Sequence, residues 1–466
     1  MSFLIALGAL AFLMFVAYRG MSVILFAPIA ALGAVLLTDP AAVPAMFTDK
    51  FMVAMVSFVK SYFPVFLLGA VFGKVIEMSG FAKSIVAATV RVLGAGQAMF
   101  AIVVVGCILT YGGVSLFVVV FAVYPFAAEM FRASNIPKRL IPGTIALGAF
   151  TATMDSFPGT PQIQNIIPTS YFGTNAYAAP ILGTIGGLLI LAIGMVYLEW
   201  RRRQAAVAGE GYGEGHENEP EPIDTAHLPN PYLAISPLVI VGVVNWLLTN
   251  QVIPAVYKDG YSIPWITPGQ PGVTVAKIAS VSAIWAVEGA LLLGILVVLA
   301  FSFKTIVAKF ADGTKAAIAG ALLASMNTAS EYGFGSVIAA LPGFLVVRDG
   351  LAAIPDPLIR EAVTVTSLAG ITGSASGGMG IALAAMANTF KEMATASGIP
   401  FEVLHRVASM ASGGMDTLPH NGAVITLLMV TGLTHKTSYK DIFAITCIKT
   451  LMVFVVIALY YLTGLV

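Results

Sequence analysis

The sequence predicts an all-α polytopic membrane protein that consists of two inverted-topology repeats. Of its 466 residues, 58% are hydrophobic and only 10% are charged, whereas soluble domains usually carry about 25% charged residues. A set of motifs also occurs twice: Ala133–Pro137 (ASNIP) and Met154–Pro158 (MDSFP) recur as Ala396–Pro400 (ASGIP) and Met415–Pro419 (MDTLP). The composition therefore predicts membrane spans and the duplication predicts repeats, which is the organisation of many secondary transporters.

The charge balance and the cysteine count argue against several other classes of protein. A net charge of +1 gives no reason to expect a nucleic-acid partner. Cys107 and Cys447 lie in apolar runs without a second thiol or a histidine at ligand spacing, so we expect neither a disulfide nor a metal site nor a bound cofactor. The segment Ser2–Tyr18 lacks a basic n-region, so we interpret it as a first span rather than a signal peptide.

A helix needs about 20 apolar residues to cross a bilayer, and the sequence offers about ten such segments. They lie near residues 2–18, 22–38, 62–79, 139–168, 178–199, 231–250, 276–301, 315–345, 403–430 and 441–464. Two further apolar stretches, 97–131 and 361–391, are interrupted by glycine-rich tips at Thr110–Ser115 and Gly373–Gly380. Because each arm is too short to span alone, we predict two re-entrant hairpins, each with the AS-x-IP motif just beyond it.

The basic residues orient these segments. If the N-terminus faces outside, a set of arginines and lysines that is roughly twice as large as the opposing set lies on the cytoplasmic side. These residues are Arg19, Lys83, Arg91, Arg132, Lys138, Arg139, Arg201, Arg202, Arg203, Lys304, Lys309, Lys315, Lys436 and Lys440. The first hairpin then opens from the cytoplasmic face and the second from the opposite face, so the repeats are inverted.

The chain divides into a first repeat at 1–200, a linker at 201–229 and a second repeat at 230–466. The linker is rich in Glu, Gly and Pro, which predicts a flexible cytoplasmic segment in which His216 and His227 are solvated. The polar, proline-containing stretch 258–272 is predicted to be an external loop.

Four interruptions of helix at membrane depth predict one binding site. Besides the two hairpin tips, the segments Asp155–Pro161 and Ser412–Gly422 cannot continue a helix. Irregular backbone is tolerated in a membrane only where it is buried in protein or lines a cavity. Half-helices that restart after a break present free N–H groups, which suit a carboxylate, so we expect a small anionic substrate.

The predicted substrate site consists of glycines and polar or ionisable residues at the four interruptions. They are Thr110, Tyr111, Gly112, Gly113, Ser115, Asp155, Ser156, Thr160, Ser374, Ser376, Gly377, Gly378, Asp416, Thr417, His420 and Asn421. The alternative is that small residues here serve close helix packing.

Four ionisable residues are candidates for proton coupling. Asp155 and Asp416 occupy matching positions in the two repeats, Glu331 lies inside a predicted span without a nearby basic residue, and His420 follows Pro419 at the second break. Ionisable groups inside a membrane are functional candidates because they are costly to bury. The aspartates could instead cap half-helices, and Glu331 could be a polar tether between helices.

The tip Tyr111-Gly112-Gly113, the AS-x-IP motif and the break Pro158-Gly159-Thr160-Pro161 together resemble the gluconate permease (GntP) family of bacterial proton symporters. The resemblance covers almost the whole chain outside the linker. It implies two inverted repeats, each with a hairpin and a broken helix, a homodimer in the bacterial cytoplasmic membrane, and an elevator-like movement. The family carries gluconate, other sugar acids, glycerate, D-serine or 3-hydroxybutyrate.

The sequence departs from the sugar-acid members, which place a histidine between prolines at the first break and an acidic residue in the first tip. Here these regions read Met154-Asp155-Ser156-Phe157-Pro158 and Thr110-Tyr111-Gly112-Gly113. The resemblance therefore favours the short hydroxy-acid branch, with 3-hydroxybutyrate as substrate.

The residues leave the coupling ion open. Proton symport explains the intramembrane acids, but unwound carbonyls at paired breaks can also coordinate Na⁺. An enzyme is disfavoured because the sequence has no H-E-x-x-H, no G-x-S-x-G and no cysteine with a partner histidine. A passive channel or a scaffold is a third class. A transporter would be distinguished from it by transport that saturates and concentrates the substrate.

Overall fold

The structure is a computed structural model, and it describes residues 2–19, 21–220, 227–257, 261–262, 274–275, 278, 281–344, 350, 353–419 and 421–466. The first repeat contains α1 (Ser2–Tyr18), α2 (Val23–Thr38), α3 (Pro40–Met78), α4 (Phe81–Leu93), α5 (Ala98–Tyr111), α6 (Leu116–Ala133), α7 (Ile141–Ala149), α8 (Ala152–Asp155), α9 (Ile163–Phe172) and α10 (Pro180–Val207). The second repeat contains α11 (Pro231–Val256), α12 (Ser282–Val307), α13 (Phe310–Ala340), α14 (Pro357–Thr372), α15 (Ala375–Ala396), α16 (Phe401–Gly413), α17 (Gly422–Thr431) and α18 (His435–Thr463). The predicted all-α class is confirmed.

Short irregular elements complete the described structure. Single turns of 3₁₀ helix lie at Ala95–Gln97, Lys138–Leu140 and Gly414–Thr417. Strands β1 (Tyr261–Ser262) and β2 (Thr274–Val275) pair antiparallel, and the rest of the predicted external loop at 258–272 lies outside the described residues.

Six of the described helices are long and apolar enough to cross a membrane: α3, α6, α10, α11, α12 and α18. Their outer faces carry exposed large apolar side chains, such as Val196 of α10 at 70% and Leu451 of α18 at 65% exposure, which would be unfavourable in water. The chain is therefore a membrane protein. The count of ten crossings stays a prediction, because α6 is one arm of a predicted hairpin and α13, although 31 residues long, is less apolar.

Helices of the two repeats pack in equivalent pairs. The pair α1 and α2 corresponds to α11 and α12, while α2 packs on α13 as α12 packs on α3. The hairpin arm α5 packs on α7, and α14 packs on α16 in the same way. The long helices α3 and α13 pack on each other, as do α10 and α18. This exchange of partners is the arrangement that two related repeats give around a pseudo-two-fold axis.

The corresponding helices run in opposite directions. At one end of the α10–α18 pair, the Ile181 amide donates to Val466 O at 3.1 Å. At the other end, Arg201 Nε donates to Asp441 Oδ1 at 2.6 Å. The start of α10 therefore lies at the end of α18, as inverted repeats require.

The two hairpins open at opposite ends of α18. Near the base of the first hairpin, Ser438 Oγ donates to Arg139 O at 2.5 Å. At the base of the second hairpin, the Tyr461 hydroxyl donates to Asp356 Oδ2. Since a helix rises 1.5 Å per residue, these two positions on α18 lie roughly 35 Å apart. The hairpin α5–α6 and the hairpin α14–α15 therefore enter from opposite faces, as predicted.

Two boundaries differ from the prediction. Helix α10 continues to Val207, past the predicted linker start at 201, because Glu199 pairs with Arg202 and Arg203 one turn further on. The second tip is shorter than Gly373–Gly380, because Ser374 accepts a hydrogen bond from the Gly377 amide and caps α15 there.

The described part of the linker is folded against the body rather than flexible. Glu219 pairs with Lys138 at 2.8 Å and accepts a hydrogen bond from the Tyr212 hydroxyl at 2.9 Å. Asn218 Nδ2 donates to Met429 O at 2.9 Å, next to the end of α17. The linker thus contacts both repeats, while its residues 221–226 lie outside the described structure.

Candidate functional site

The breaks of the two repeats meet inside the protein. The first break separates α7, α8 and α9, and the second separates α16 from α17. Gln164 at the start of α9 donates through Nε2 to Asp416 Oδ2 at 2.9 Å, which joins the second break to the first. Asp155 Oδ2 lies against Gly413, where a β-carbon would overlap it. Asp155 and Asp416 are both buried.

Each hairpin tip contacts the break of its own repeat. The Tyr111 hydroxyl donates to Pro158 O at 2.8 Å, and Gln162 Nε2 donates to Thr110 O at 2.8 Å. In the second repeat, Asn421 Nδ2 donates to Gly373 O at 3.0 Å. The sequence therefore predicted correctly that the four interruptions come together.

The half-helices differ in how their first amides are satisfied. Ser374 and Asn421 act as N-caps for α15 and α17, which is the structural role that the sequence left open for such residues. Gln162 at the N-cap of α9 makes no side-chain cap. Ser115 at the N-cap of α6 makes no side-chain cap either. The first amides of α6 and α9 are thus left uncapped by the N-cap side chain, and a substrate carboxylate suits such a position.

Several predicted residues are engaged in bonds within the breaks. The Ser156 hydroxyl donates to Asp155 Oδ1 at 2.6 Å, and Thr160 Oγ1 donates to Thr153 O at 2.6 Å. Thr417 Oγ1 lies 2.7 Å from Thr446 Oγ1. These groups hold the irregular backbone in shape.

Other predicted residues lie at the tips and make fewer hydrogen bonds. Thr110 Oγ1 is buried without a hydrogen-bond partner among the described residues, and Gly113 adopts a left-handed φ of +92°. Ser376 Oγ lies 3.5 Å from Thr328 Oγ1. The remaining tip residues Gly112, Ser115, Gly377 and Gly378 are also at the tips or in the first turns that follow them. His420 lies outside the described residues.

Glu331 on α13 faces the second tip. It is buried, and its Oε2 lies against Gly377 without a hydrogen-bond partner among the described residues. A carboxyl group in such surroundings carries a negative charge only at a high cost. Glu361 near the start of α14 is likewise buried with both carboxyl oxygens unpartnered in the described structure, and it is not among the residues that the sequence predicted for the site.

Sequence reasoning also missed Arg406, which lies fully buried beside the first break. Its Nη1 donates to Asp155 O and to Asn165 Oδ1, both at 3.0 Å, and its Nη2 donates to Ala178 O at 2.7 Å. The side chain thus holds three parts of the first repeat from α16 of the second. The signal in the sequence was a charged residue, preceded by His405, within an apolar segment.

Lys449 was missed as well. It lies midway along α18 with a fully buried side chain, and its Nζ is 3.0 Å from Asp155 Oδ2. A lysine inside the predicted span 441–464 was the available signal. Within the described part of the chain, no group of three or more His, Cys, Asp or Glu side chains could hold a metal ion.

One known protein matches the whole chain. The "Uncharacterized transporter YxjC" of Bacillus subtilis (strain 168) is 58% identical over 476 residues, which cover 100% of this chain and 100% of that protein. The chain belongs to the YxjC family of transporters. Membership of this family agrees with the absence of an enzymatic motif in the sequence.

Other comparisons add less. No protein-family model matches the chain, so the resemblance to gluconate permeases stays a prediction. The crystal structure of the Alcanivorax borkumensis YdaH transporter is similar over 92% of this chain and 90% of that one, at 15% identity and a TM-score of 0.49.

Proposed function

We propose that this YxjC-family transporter imports a small hydroxy-monocarboxylate by proton symport, with 3-hydroxybutyrate as the favoured substrate. The observation that supports this most is the meeting of four helix interruptions from two inverted repeats, around Asp155, Gln164 and Asp416. Such a meeting point of broken helices is where secondary transporters hold their substrates.

Unpaired polar groups at this point suit a hydroxy acid. The first amides of α9, which the Gln162 side chain does not cap, and the unpartnered Thr110 hydroxyl can donate to a carboxylate. Gln164 Oε1 is buried and unpartnered among the described residues, so it can accept a hydrogen bond from a substrate hydroxyl. Gluconate, another sugar acid or glycerate would use the same groups and is the alternative substrate class.

Proton coupling fits the buried acids better than sodium coupling does. Glu331 has no cationic partner among the described residues and lies against the hairpin tip that must open to release substrate. A carboxyl group there can take a proton on one side of the membrane and lose it on the other. The resemblance to the GntP family further implies a homodimer in the bacterial inner membrane and an elevator-like movement.

Uptake into proteoliposomes tests the proposal. Radiolabelled 3-hydroxybutyrate should accumulate when the outside is made acidic in the absence of Na⁺, and a protonophore should abolish the accumulation. Unlabelled gluconate, glycerate and serine should compete less than unlabelled 3-hydroxybutyrate. Accumulation that needs Na⁺ would contradict proton symport, and stronger competition by gluconate would move the substrate to the sugar acids.

A further inference from the structure

Lys449 makes contacts that differ from those of an ordinary intramembrane lysine. A lysine in a span usually extends toward the membrane surface, where its ammonium group meets water. Lys449 instead places Nζ 2.7 Å from Phe150 O, 2.5 Å from Gly413 O and 3.0 Å from Asp155 Oδ2. The ammonium group is therefore surrounded by oxygen atoms at the centre of the molecule.

The three oxygens come from both repeats and from equivalent places. Phe150 is the C-cap of α7 and Gly413 is the last residue of α16, so both carbonyls end the helix that precedes a break. Carbonyls at a helix C-terminus carry the negative end of the helix dipole. Asp155 adds a carboxylate from the first break. Unwound carbonyls and C-terminal helix ends are the groups that coordinate a coupling cation in transporters of inverted repeats.

The contacts of the ammonium group resemble the coordination of a metal cation more than a simple ion pair. Asp155 Oδ1 already accepts the Ser156 hydroxyl at 2.6 Å, which leaves Oδ2 for the ammonium group. The Nζ atom donates to two backbone carbonyls, and its contact with Oδ2 is mainly electrostatic. A bare monovalent ion at the position of Nζ would meet the same three oxygens without any demand on hydrogen-bond angles.

We propose that the Lys449 ammonium group is a tethered cation, occupying a site between the two repeats that an alkali-metal ion would otherwise fill. The chain supplies the charge that holds the two breaks together, so this site does not require Na⁺. The inference deepens the proton-coupled function proposed above, because it removes the place where Na⁺ would couple. The existence of the site itself rests only on the contacts of Lys449.

Thermal unfolding of the purified protein in different salts tests the site without any transport measurement. NaCl, KCl and choline chloride are compared at equal ionic strength. The wild-type midpoint should be the same in the three salts. Lys449→Ala leaves the three oxygens in place and removes the cation that faces Asp155 Oδ2. Its midpoint should therefore rise with increasing Na⁺ or K⁺ and level off, since a ligand that binds only the folded state stabilises it.

Two further variants make the result specific. Lys449→Ala combined with Asp155→Asn removes the carboxylate charge, and the salt response should be lost. Lys304→Ala removes an exposed lysine at the end of α12, and it should behave as the wild type does.

The outcomes separate the site from the transport function. A folded Lys449→Ala protein with equal midpoints in all three salts would overturn the tethered cation. The same conclusion follows if Lys449→Ala cannot be folded even when purified in high NaCl or KCl, because the ion then does not replace the ammonium group. A wild-type protein that binds no 3-hydroxybutyrate would count against the proposed substrate and leave the salt result standing.

Discussion

Glu331 and Gly377 touch at the second tip, and the contact depends on the absence of a side chain at residue 377. A β-carbon there would overlap Glu331 Oε2. The carboxyl group is therefore in contact with the tip, and a movement of the tip would change its surroundings. This makes Glu331 the residue on which proton coupling can be tested most directly.

Replacing Glu331 by glutamine should abolish pH-driven accumulation of substrate. Glutamine keeps the size of the side chain but cannot take up a proton. The pH gradient can therefore no longer drive accumulation, while exchange of substrate between the two sides persists. Accumulation and counterflow are measured in the same proteoliposomes. Glu129→Gln, which changes an exposed acid near the end of α6 that is remote from the first tip, is the control and should accumulate substrate normally. Normal accumulation by Glu331→Gln would exclude its coupling role.

The sequence revealed some site residues and concealed others for a physical reason. Asp155 and Asp416 could be predicted because a duplicated motif marks them twice. Arg406 and Lys449 bind mainly backbone carbonyls of distant segments, such as Ala178 O and Phe150 O. Any residue type supplies a carbonyl, so no pattern in the sequence marks these partners.

At the scale of elements, glycine has two structural roles that the sequence does not distinguish: it can interrupt a helix, or it can allow close packing within one. The run Gly373–Gly380 was predicted as one break, but only Gly373 and Ser374 interrupt the helix. Gly377, Gly378 and Gly380 lie in α15 and allow close approach to Glu331, to the Ala369 backbone and to Tyr332. Hairpins and breaks could be predicted to within a turn, whereas the packing role of each glycine required the structure.

Gly377→Ala should therefore disturb the second tip more than a usual helix substitution does. Alanine favours helix over glycine by about 1 kcal/mol, but a methyl group here must displace the Glu331 carboxyl, and overpacking costs about 1–3 kcal/mol. We expect a lower thermal midpoint and slower substrate uptake.

Gly320→Ala is the control for this change. Gly320 lies on an exposed face of α13, and a β-carbon there meets nothing within 4 Å. The control should be as stable as the wild type or slightly more stable in the same thermal unfolding assay. Equal midpoints for the two alanine variants would show that the tip does not depend on the contact with Glu331.

At the scale of the whole molecule, the antiparallel run of α10 and α18 makes the sidedness testable. Glu214 in the linker and Ala353 at the base of the second hairpin are exposed and lie on opposite faces. In a protein whose Cys107 and Cys447 are replaced by serine, Ala353→Cys should react with an impermeant maleimide added to intact cells.

Glu214→Cys should react only after the membrane is permeabilised, because the linker is predicted to be cytoplasmic. Denatured samples of both variants control for reactivity of the thiol. Labelling of both cysteines from the same side would contradict the inverted topology.

The linker should loosen in acid. Arg139 donates to both carboxyl oxygens of Glu210, at 2.6 and 2.7 Å, and this bond lowers the pKa of Glu210. A carboxyl group with a lowered pKa stabilises the folded state above its unfolded pKa, about 4.3, and that contribution is lost as the pH falls through the folded value. A spin label at Glu214→Cys should become more mobile over this acidic range.

The variant Glu210→Gln isolates this effect. It removes the titrating group, so the label should already be more mobile at neutral pH and should change less on acidification. An unchanged pH profile in Glu210→Gln would assign the loosening to another group, such as Glu219 beside Lys138.

The close approach of α5 and α7 determines what can slide during transport. A β-carbon on Gly106 would lie 3.0 Å from the Gly148 backbone, and one on Gly148 would run into Val103 O. These two backbones leave no gap for either helix to shift past the other, so the first hairpin arm and its broken helix travel as one piece. A pair of distance reporters on α5 and α7 should therefore read the same separation in inward-open and outward-open protein.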